Sequence, residues 1–397
     1  MNNHEASEQM LGYLYQIRYA LYLLLNSPDE RMQIAIEKFD DVSFGHDDKP
    51  EALIQLKHHT KSNGNLTDAS SDIWRTLKAW IGAIKKESDL LESTKFLIIT
   101  TASAPKGSAA HFLKPDSQVR DTDAAYNILD KVSKTSTNKE HIRLKFYSEF
   151  NSLSEPLRKK LINQIHVIDK EKNIVNIEED IKQIIKYSCS PENEELILEQ
   201  IEGWWFKKAI KALSSETPIF TLQNQVRSHI VSVSQQYTKD NLPINDDLEF
   251  LEIDLSDKEN RVFREQLKLI CIGSNRMRVA IEDYYRAYKQ RSNWIRNDLL
   301  HINELERYEE RLIDEWNHAF SDMQDDLEGY ATLVSEDDKI RRGKELFRNI
   351  DKLDIRIRPR CSDAFVMRGS YHMLSSQLKI GWHVDFFNRL KDLLGEV

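Results

Sequence analysis

Residues 32–58 read MQIAIEKFDDVSFGHDDKPEALIQLKH. Met32 to Phe39 alternates apolar and polar residues with the period of two that a half-buried strand requires. Val42 to Phe44 continues as a second short strand, and Glu51 to His58 as a third. Between the last two, His46-Asp47-Asp48-Lys49-Pro50 is a turn-rich tip. Upstream, Glu8 to Asn26 has helical spacing and is punctuated by Pro28 and Asp29. Downstream, Asp68 or Ser70 can cap a helix running to about Lys86, with Ile73, Leu77, Trp80, Ile81 and Ile84 near helical spacing. Lys95 to Thr101 is an almost continuous apolar run, as suits a strand buried on both faces. Helix, three-strand meander, helix, strand makes an α/β core.

From about residue 105 the pattern becomes mainly helical, with Gln164 to Asp169 (QIHVID) returning as a strand. The polar stretch Thr238 to Asn260 reads as a domain boundary. The expected organisation is therefore an α/β domain with a helical extension over residues 1–240 and a mainly α-helical domain over 241–397. Within the second, Leu353 to Arg358 (LDIRIR) alternates like a strand and stops at Pro359.

The 397 residues carry 56 Lys and Arg against 65 Asp and Glu, a net charge of −9. With 30% charged residues and only 12 Gly and 9 Pro, the chain reads as compact and helix-rich rather than disordered. Cys189, Cys271 and Cys361 have no disulfide or zinc spacing. Met1-Asn2-Asn3-His4-Glu5 is not the start of a signal peptide, and Tyr19 to Leu25 is too short to span a bilayer, so a cytoplasmic protein without a membrane is expected. The −9 weighs against a surface coated with basic side chains for nucleic acid. Local counts run the other way in two places: 8 basic against 3 acidic residues over 131–163, including Arg158-Lys159-Lys160, and 9 against 3 over 261–296. Either segment could follow a phosphate backbone. For the second, pairing with the acidic stretch Glu304 to Asp326 or with a partner subunit is the favoured account.

The residues with chemistry cluster in the meander. Glu37, Asp40 and Asp41 lie at the turn from the first strand into the second, and alternation puts Gln55 and Lys57 on one face of the third. Two adjacent strands thus bring carboxylates, an amide oxygen and an amine together. Phosphodiester hydrolysis uses those parts: hard oxygens for Mg²⁺, a metal that acidifies water, and a cation at the developing oxyanion. The choice between Asp40 and Asp41 as metal ligand rests on strand phase, which a bulge would reverse. His58 and His59 point to opposite faces and read as ordinary histidines. Ser370, His372 and His383 form no nucleophile elbow.

An Asp followed a hairpin later by Gln-x-Lys resembles the PD-(D/E)xK restriction-endonuclease fold. Tyr13-Leu14-Tyr15-Gln16, the Asp-Asp strand, Gln55-Leu56-Lys57-His58 and the helix opening at Thr67-Asp68 occur in the order of the endonuclease domain of SAVED/CBASS-associated antiphage effectors. That resemblance implies Asp41 and Gln55 as metal ligands and Lys57 as the catalytic lysine. Glu37 and Asp40 would support the metal, Gln16 would support the site from its helix, and Mn²⁺ would substitute for Mg²⁺. Gln55 departs from the family's usual carboxylate. Over residues 260–397, Trp316-Asn317, Gly343, Ile355 to Arg358 and the block from Arg368 to His383 look like the C-terminal domain of ABC three-component effectors. Together the two parts resemble the LmuA-type effectors of Lamassu antiphage and antiplasmid defence. The resemblance implies a nuclease for double-stranded DNA held idle by an SMC-like ATPase subunit (LmuB) and a middle subunit (LmuC), active after release and self-association as a homo-oligomer, a tetramer. The competing expectation is a catalytically silent subunit that docks onto the ATPase complex, and a third is an RNase using the same fold.

Overall fold

The computed structural model describes residues 3–37, 41–46, 49–58, 64–135, 141–217, 219–245, 247–248, 261–328 and 334–396. Asp40 and His59 lie outside the described residues, as do residues 249–260 of the expected boundary. The chain divides into two compact units, 1–234 and 235–397.

The first unit is mixed α/β. Its elements run α1 (Asn3–Asn26), β1 (Gln33–Ile36), β2 (Val42–His46), β3 (Lys49–Lys57), α2 (Ser71–Lys86), α3 (Leu90–Ser93), β4 (Lys95–Thr100) and α4 (Ala109–Phe112). They continue α5 (Thr122–Thr135), α6 (His141–Asn151), α7 (Glu155–Gln164), β5 (Ile165–Ile168), α8 (Ile174–Ile185), α9 (Glu194–Leu213), β6 (Thr221–Leu222) and α10 (Gln223–Gln236). One six-stranded sheet has the order β5-β4-β3-β2-β1-β6. The meander β1-β2-β3 is antiparallel, whereas β3, β4 and β5 are parallel.

The two faces of β3 meet different layers, as period-two alternation requires. Leu53 joins Phe96, Ile98, Ile165 and Val167 in a core shared with α2, α5, α6 and α7. Ile54 and Leu56 are buried on the other face, where His58 packs its ring on Tyr15 of α1 at 4.8 Å. Helices α1, α8 and α9 pack on one another. The β2–β3 register shifts between Phe44 and Gly45. A Cβ at Gly45 would sit 2.1 Å from the Lys49 carbonyl oxygen, so the shifted hairpin needs glycine there.

The second unit is helical: α11 (Arg261–Leu269), α12 (Ser274–Arg296), α13 (Glu304–Glu328), α14 (Glu336–Ile350), α15 (Ala364–Ser376) and α16 (Phe386–Leu390). Phe263, Trp294, Tyr308, Phe347, Tyr371 and Trp382 anchor its core. Leu353 to Arg358 is not a strand. Its backbone is taken up by side chains instead: Tyr308 Oη donates to the Ile355 carbonyl, Arg311 to the Arg356 and Ile357 carbonyls, and the Ile355 N–H to Met367 Sδ. The alternating Leu353, Ile355 and Ile357 pack on the helical core. Helix α6, unforeseen in the sequence, fills the interval before α7.

Candidate active site

The site sits where β2 begins and β3 ends. Register pairs Val42 with Ile54 and Ser43 with Leu53, so Asp41, one residue earlier, lies beside Gln55. The register shift falls at Phe44/Gly45, toward the other end of the hairpin, and leaves this pairing intact. The Leu56 N–H donates to Asp41 Oδ2 at 2.9 Å. That bond ties the carboxylate to β3, and Oδ1 is not part of it.

Glu37 closes the turn from β1. Its N–H donates to the Asp41 carbonyl at 3.0 Å, and its φ of 57° lies in the left-handed region, which costs a non-glycine residue about 1–2 kcal/mol. The carboxyl is held above its ordinary pKa, first by lost hydration and then by the negative charge of Asp41, with Lys57 opposing. Two carboxylates and one amine therefore share a field at this edge.

Gln55 is buried, 6% exposed. Thr76 of α2 donates its hydroxyl to Gln55 Oε1 at 3.5 Å, a long and weak bond. Lys57, half-buried, lies on the same face of β3, two residues on, and among the described residues it makes no ion pair. Its carbonyl accepts the Thr101 N–H at 3.2 Å. The rim is fixed further by Leu66 N–H on the Ser103 carbonyl and Lys170 N–H on the Ala102 carbonyl, at 2.8 and 2.9 Å. The site thus occupies the carboxyl edge of the parallel strands, the usual ligand edge of open α/β sheets.

Gln16 lies on helix α1 and is half-buried. Tyr15 of helix α1 packs on the face of β3 that carries His58, opposite Gln55 and Lys57, and among the described residues no hydrogen bond joins Gln16 to Glu37, Asp41, Gln55 or Lys57. The buried partners of α1 are structural: Tyr15 Oη donates to the Lys172 carbonyl, and Arg18 forks onto Glu202.

The C-terminal histidines are core groups. Ser370 Oγ accepts from Arg291 at 3.2 Å, and among the described residues neither His372 nor His383 bonds to it. His372 is boxed by the rings of Phe263, Phe347 and Trp382. Glu336, His383 and Asp385 come close enough to suggest a metal site, but the proton positions argue against one. His383 Nδ1 accepts the Asp385 N–H at 3.0 Å, which leaves the neutral ring's proton on Nε2 and no free lone pair for a cation. Arg389 already forks onto Glu336, and Lys339 bonds Asp385 at 2.8 Å.

Comparison with known proteins bears on the second unit. Residues 263–390 match the family model of C-terminal domain 7 of the ABC-three component (ABC-3C) systems. An ABC-3C C-terminal domain is present. No curated protein matches the chain. Among solved structures, the chain is similar to the Acinetobacter baumannii Cap4 SAVED/CARF-domain containing receptor with the cyclic trinucleotide 3'3'3'-cAAA. The two are 12% identical with a TM-score of 0.31, over 65% of this chain and 61% of that one. A score that low decides neither fold nor ligand. Among the described residues no helix is long and apolar enough to cross a membrane.

Proposed function

We propose that the first unit is a metal-dependent endonuclease for double-stranded DNA, and that the chain is the effector of an ABC three-component antiphage defence complex of the Lamassu type. The observation that carries this reading is the grouping of Glu37, Asp41, Gln55 and Lys57 at the carboxyl edge of β3. The helix–meander–helix–strand order of α1, β1–β3, α2 and β4 is in keeping with a restriction-endonuclease-like core. The C-terminal match supports assembly with the other subunits of such a system.

The donors suit Mg²⁺ or Mn²⁺. Asp41, Glu37 and the Gln55 amide offer hard oxygens, and the raised Glu37 carboxyl beside Asp41 is a like-charge pair that a divalent cation relieves. Bound there, the metal would neutralise phosphate charge and acidify a water. Asp41 holds the centre to the sheet through its bond to Leu56. Gln55 adds a neutral oxygen, and Lys57 stabilises the oxyanion that develops as the phosphodiester opens. In this account the SMC-like ATPase and middle subunits hold the effector idle, and release with self-association activates it.

A second reading has its own observation: Gln55 is neutral and already engaged by Thr76, as Asp41 is by Leu56. On that footing the chain is a silent docking subunit. Incubating the purified chain with plasmid and Mg²⁺ or Mn²⁺ over a wide concentration range separates the two. The endonuclease predicts cleavage that rises steeply with protein concentration and stops with EDTA. Intact plasmid at every concentration, with either metal, favours the silent subunit.

A further inference from the structure

On the side of α2 away from the sheet, Arg75, Lys78, Gly82 and Lys86 follow helical spacing, and with Phe146 of α6 they line an open groove of about 810 Å³. The floor is low because Ala79, Gly82 and Ala83 carry almost no side chain. Arg75 and Lys86 are exposed, while Lys78 lies over the Phe146 ring at 5.5 Å. Among the described residues none of the three cations forms an ion pair. Glu149 of α6, outside the lining, is matched by Lys85 at 2.6 Å. Its pKa is lowered first by that hydrogen bond, then by the charges of Lys85, Lys78 and Lys145. Glu87 is the lone anion in the lining.

This excess of positive charge stands out in a chain of net charge −9. Several cations of the basic runs that the sequence displays most openly stand in ion pairs with carboxylates of their own unit. Arg158 pairs with Asp130 at 2.6 Å and Lys159 with Glu155 at 2.8 Å, and Lys160 pairs with Glu92. In the second unit Arg291 pairs with Glu309 at 2.5 Å and Arg278 with Glu282 at 3.0 Å, and Arg276 pairs with Asp351. In the α2 groove Arg75 and Lys86 face solvent, and Lys78 lies half-buried over Phe146.

We propose that this groove binds the sugar-phosphate backbone of a nucleic acid duplex beside the bond that the first unit cuts. The inference rests on the endonuclease reading and adds where the flanking strand is held. Arg75 begins the groove next to Thr76, the residue that touches Gln55. From Arg75 to Lys86 the helix advances about 16 Å, which matches the rise of roughly five nucleotides along one strand. Small floor residues admit a backbone closely, and unpaired Arg and Lys supply the sequence-independent attraction that phosphate contacts require.

The test is duplex binding by the full chain carrying Lys57→Ala, in metal-free buffer, followed by fluorescence anisotropy between about 50 and 200 mM salt. Adding Arg75→Ala, Lys78→Ala and Lys86→Ala should weaken binding at least tenfold. It should also lower the slope of log affinity against log salt by about 2–3, at roughly 0.9 per lost phosphate contact. The pair Lys159→Ala and Lys160→Ala should stay within about twofold of its parent, because an adjoining carboxylate offsets the charge of each. A melting temperature within about 3 °C of the parent certifies the fold of each variant. Unchanged affinity and slope in the triple variant would overturn the proposal, as would a parent that binds no duplex or a deficit confined to capture of an acidic protein partner. If the triple variant loses binding while the wild-type chain never cuts DNA, the groove stands and the endonuclease reading falls. If the wild-type chain cuts and the triple variant binds normally, the reverse holds.

Discussion

Asp41 does two jobs in this account, and they can be separated. One carboxylate oxygen accepts the Leu56 N–H; the charge is what a metal would use. Asparagine keeps an oxygen for the N–H and drops the charge, whereas alanine drops both. Asp41→Asn should therefore unfold in urea within about 0.5 kcal/mol of the parent yet lose at least about a hundredfold in cleavage, the order of a missing charged group at such a centre. Asp41→Ala should lose a further 1–2 kcal/mol or so of stability for an orphaned backbone donor. Equal stability of the two would mean the Leu56 bond contributes nothing. Period-two alternation made Gln55 and Lys57 legible as a pair, and the structure keeps them on one face. Gln16 was not placed by the same logic, because a helix register says which residues share a stripe but not which sheet face the stripe meets.

At the level of elements, the meander and its flanking helices could be read directly, since alternation and apolar periodicity are local signals. What escaped depended on partners far along the chain. β6 is two residues long and exists only because Gln33 and Ile34 of β1 offer it an edge. Leu353 to Arg358 alternates, but among the described residues no strand lies beside it, and side chains of α13 and α15 take up its carbonyls and an N–H instead. Arg158-Lys159-Lys160 looks like an open basic run until α3, α5 and the first turn of α7 are seen to supply carboxylates. The α2 cations escaped for the opposite reason: spaced along a helix, they never form a run. Packing of α15 on α12 gives a sharp prediction. A Cβ at Gly369 would meet the Asp283 carbonyl oxygen at 2.1 Å and Ala287 Cβ at 2.4 Å, and backbone cannot retreat as a side-chain tip can. Gly369→Ala should cost about 1–3 kcal/mol in chemical denaturation of the second unit, and a neutral result would mean that the two helices are not held at this separation.

For the whole molecule, charge and pH are the relevant variables. The second unit buries two histidines. Burial first, then Arg276 of α12 and Arg368 of α15, push His372 down to about 3. Burial and Arg389 also lower His383, against Glu336 and Asp385. A histidine depressed in the folded state contributes stability that is complete above its unfolded pKa, near 6.5. For His372 that contribution is lost as pH falls from about 6.5 toward 3, at up to about 1.4 kcal/mol per pH unit. His372→Gln should therefore flatten the acid limb of a stability–pH curve by up to one proton, and an unchanged slope would show that His372 titrates normally. The −9 no longer argues simply against nucleic acid. Several cations of the basic runs are matched by carboxylates, and the α2 groove holds a local excess on the unit that carries Lys57. On the endonuclease reading proposed above, so modest a strip predicts DNA affinity that rises with self-association.

The most direct measurement is plasmid cleavage in Mg²⁺ by the wild-type chain and by Lys57→Ala, at a concentration where the wild type cuts, with circular dichroism and melting curves for both. The endonuclease account predicts matched folding and a loss of cleavage of about a hundredfold or more in Lys57→Ala. A well-folded Lys57→Ala chain that cuts at the wild-type rate would contradict it.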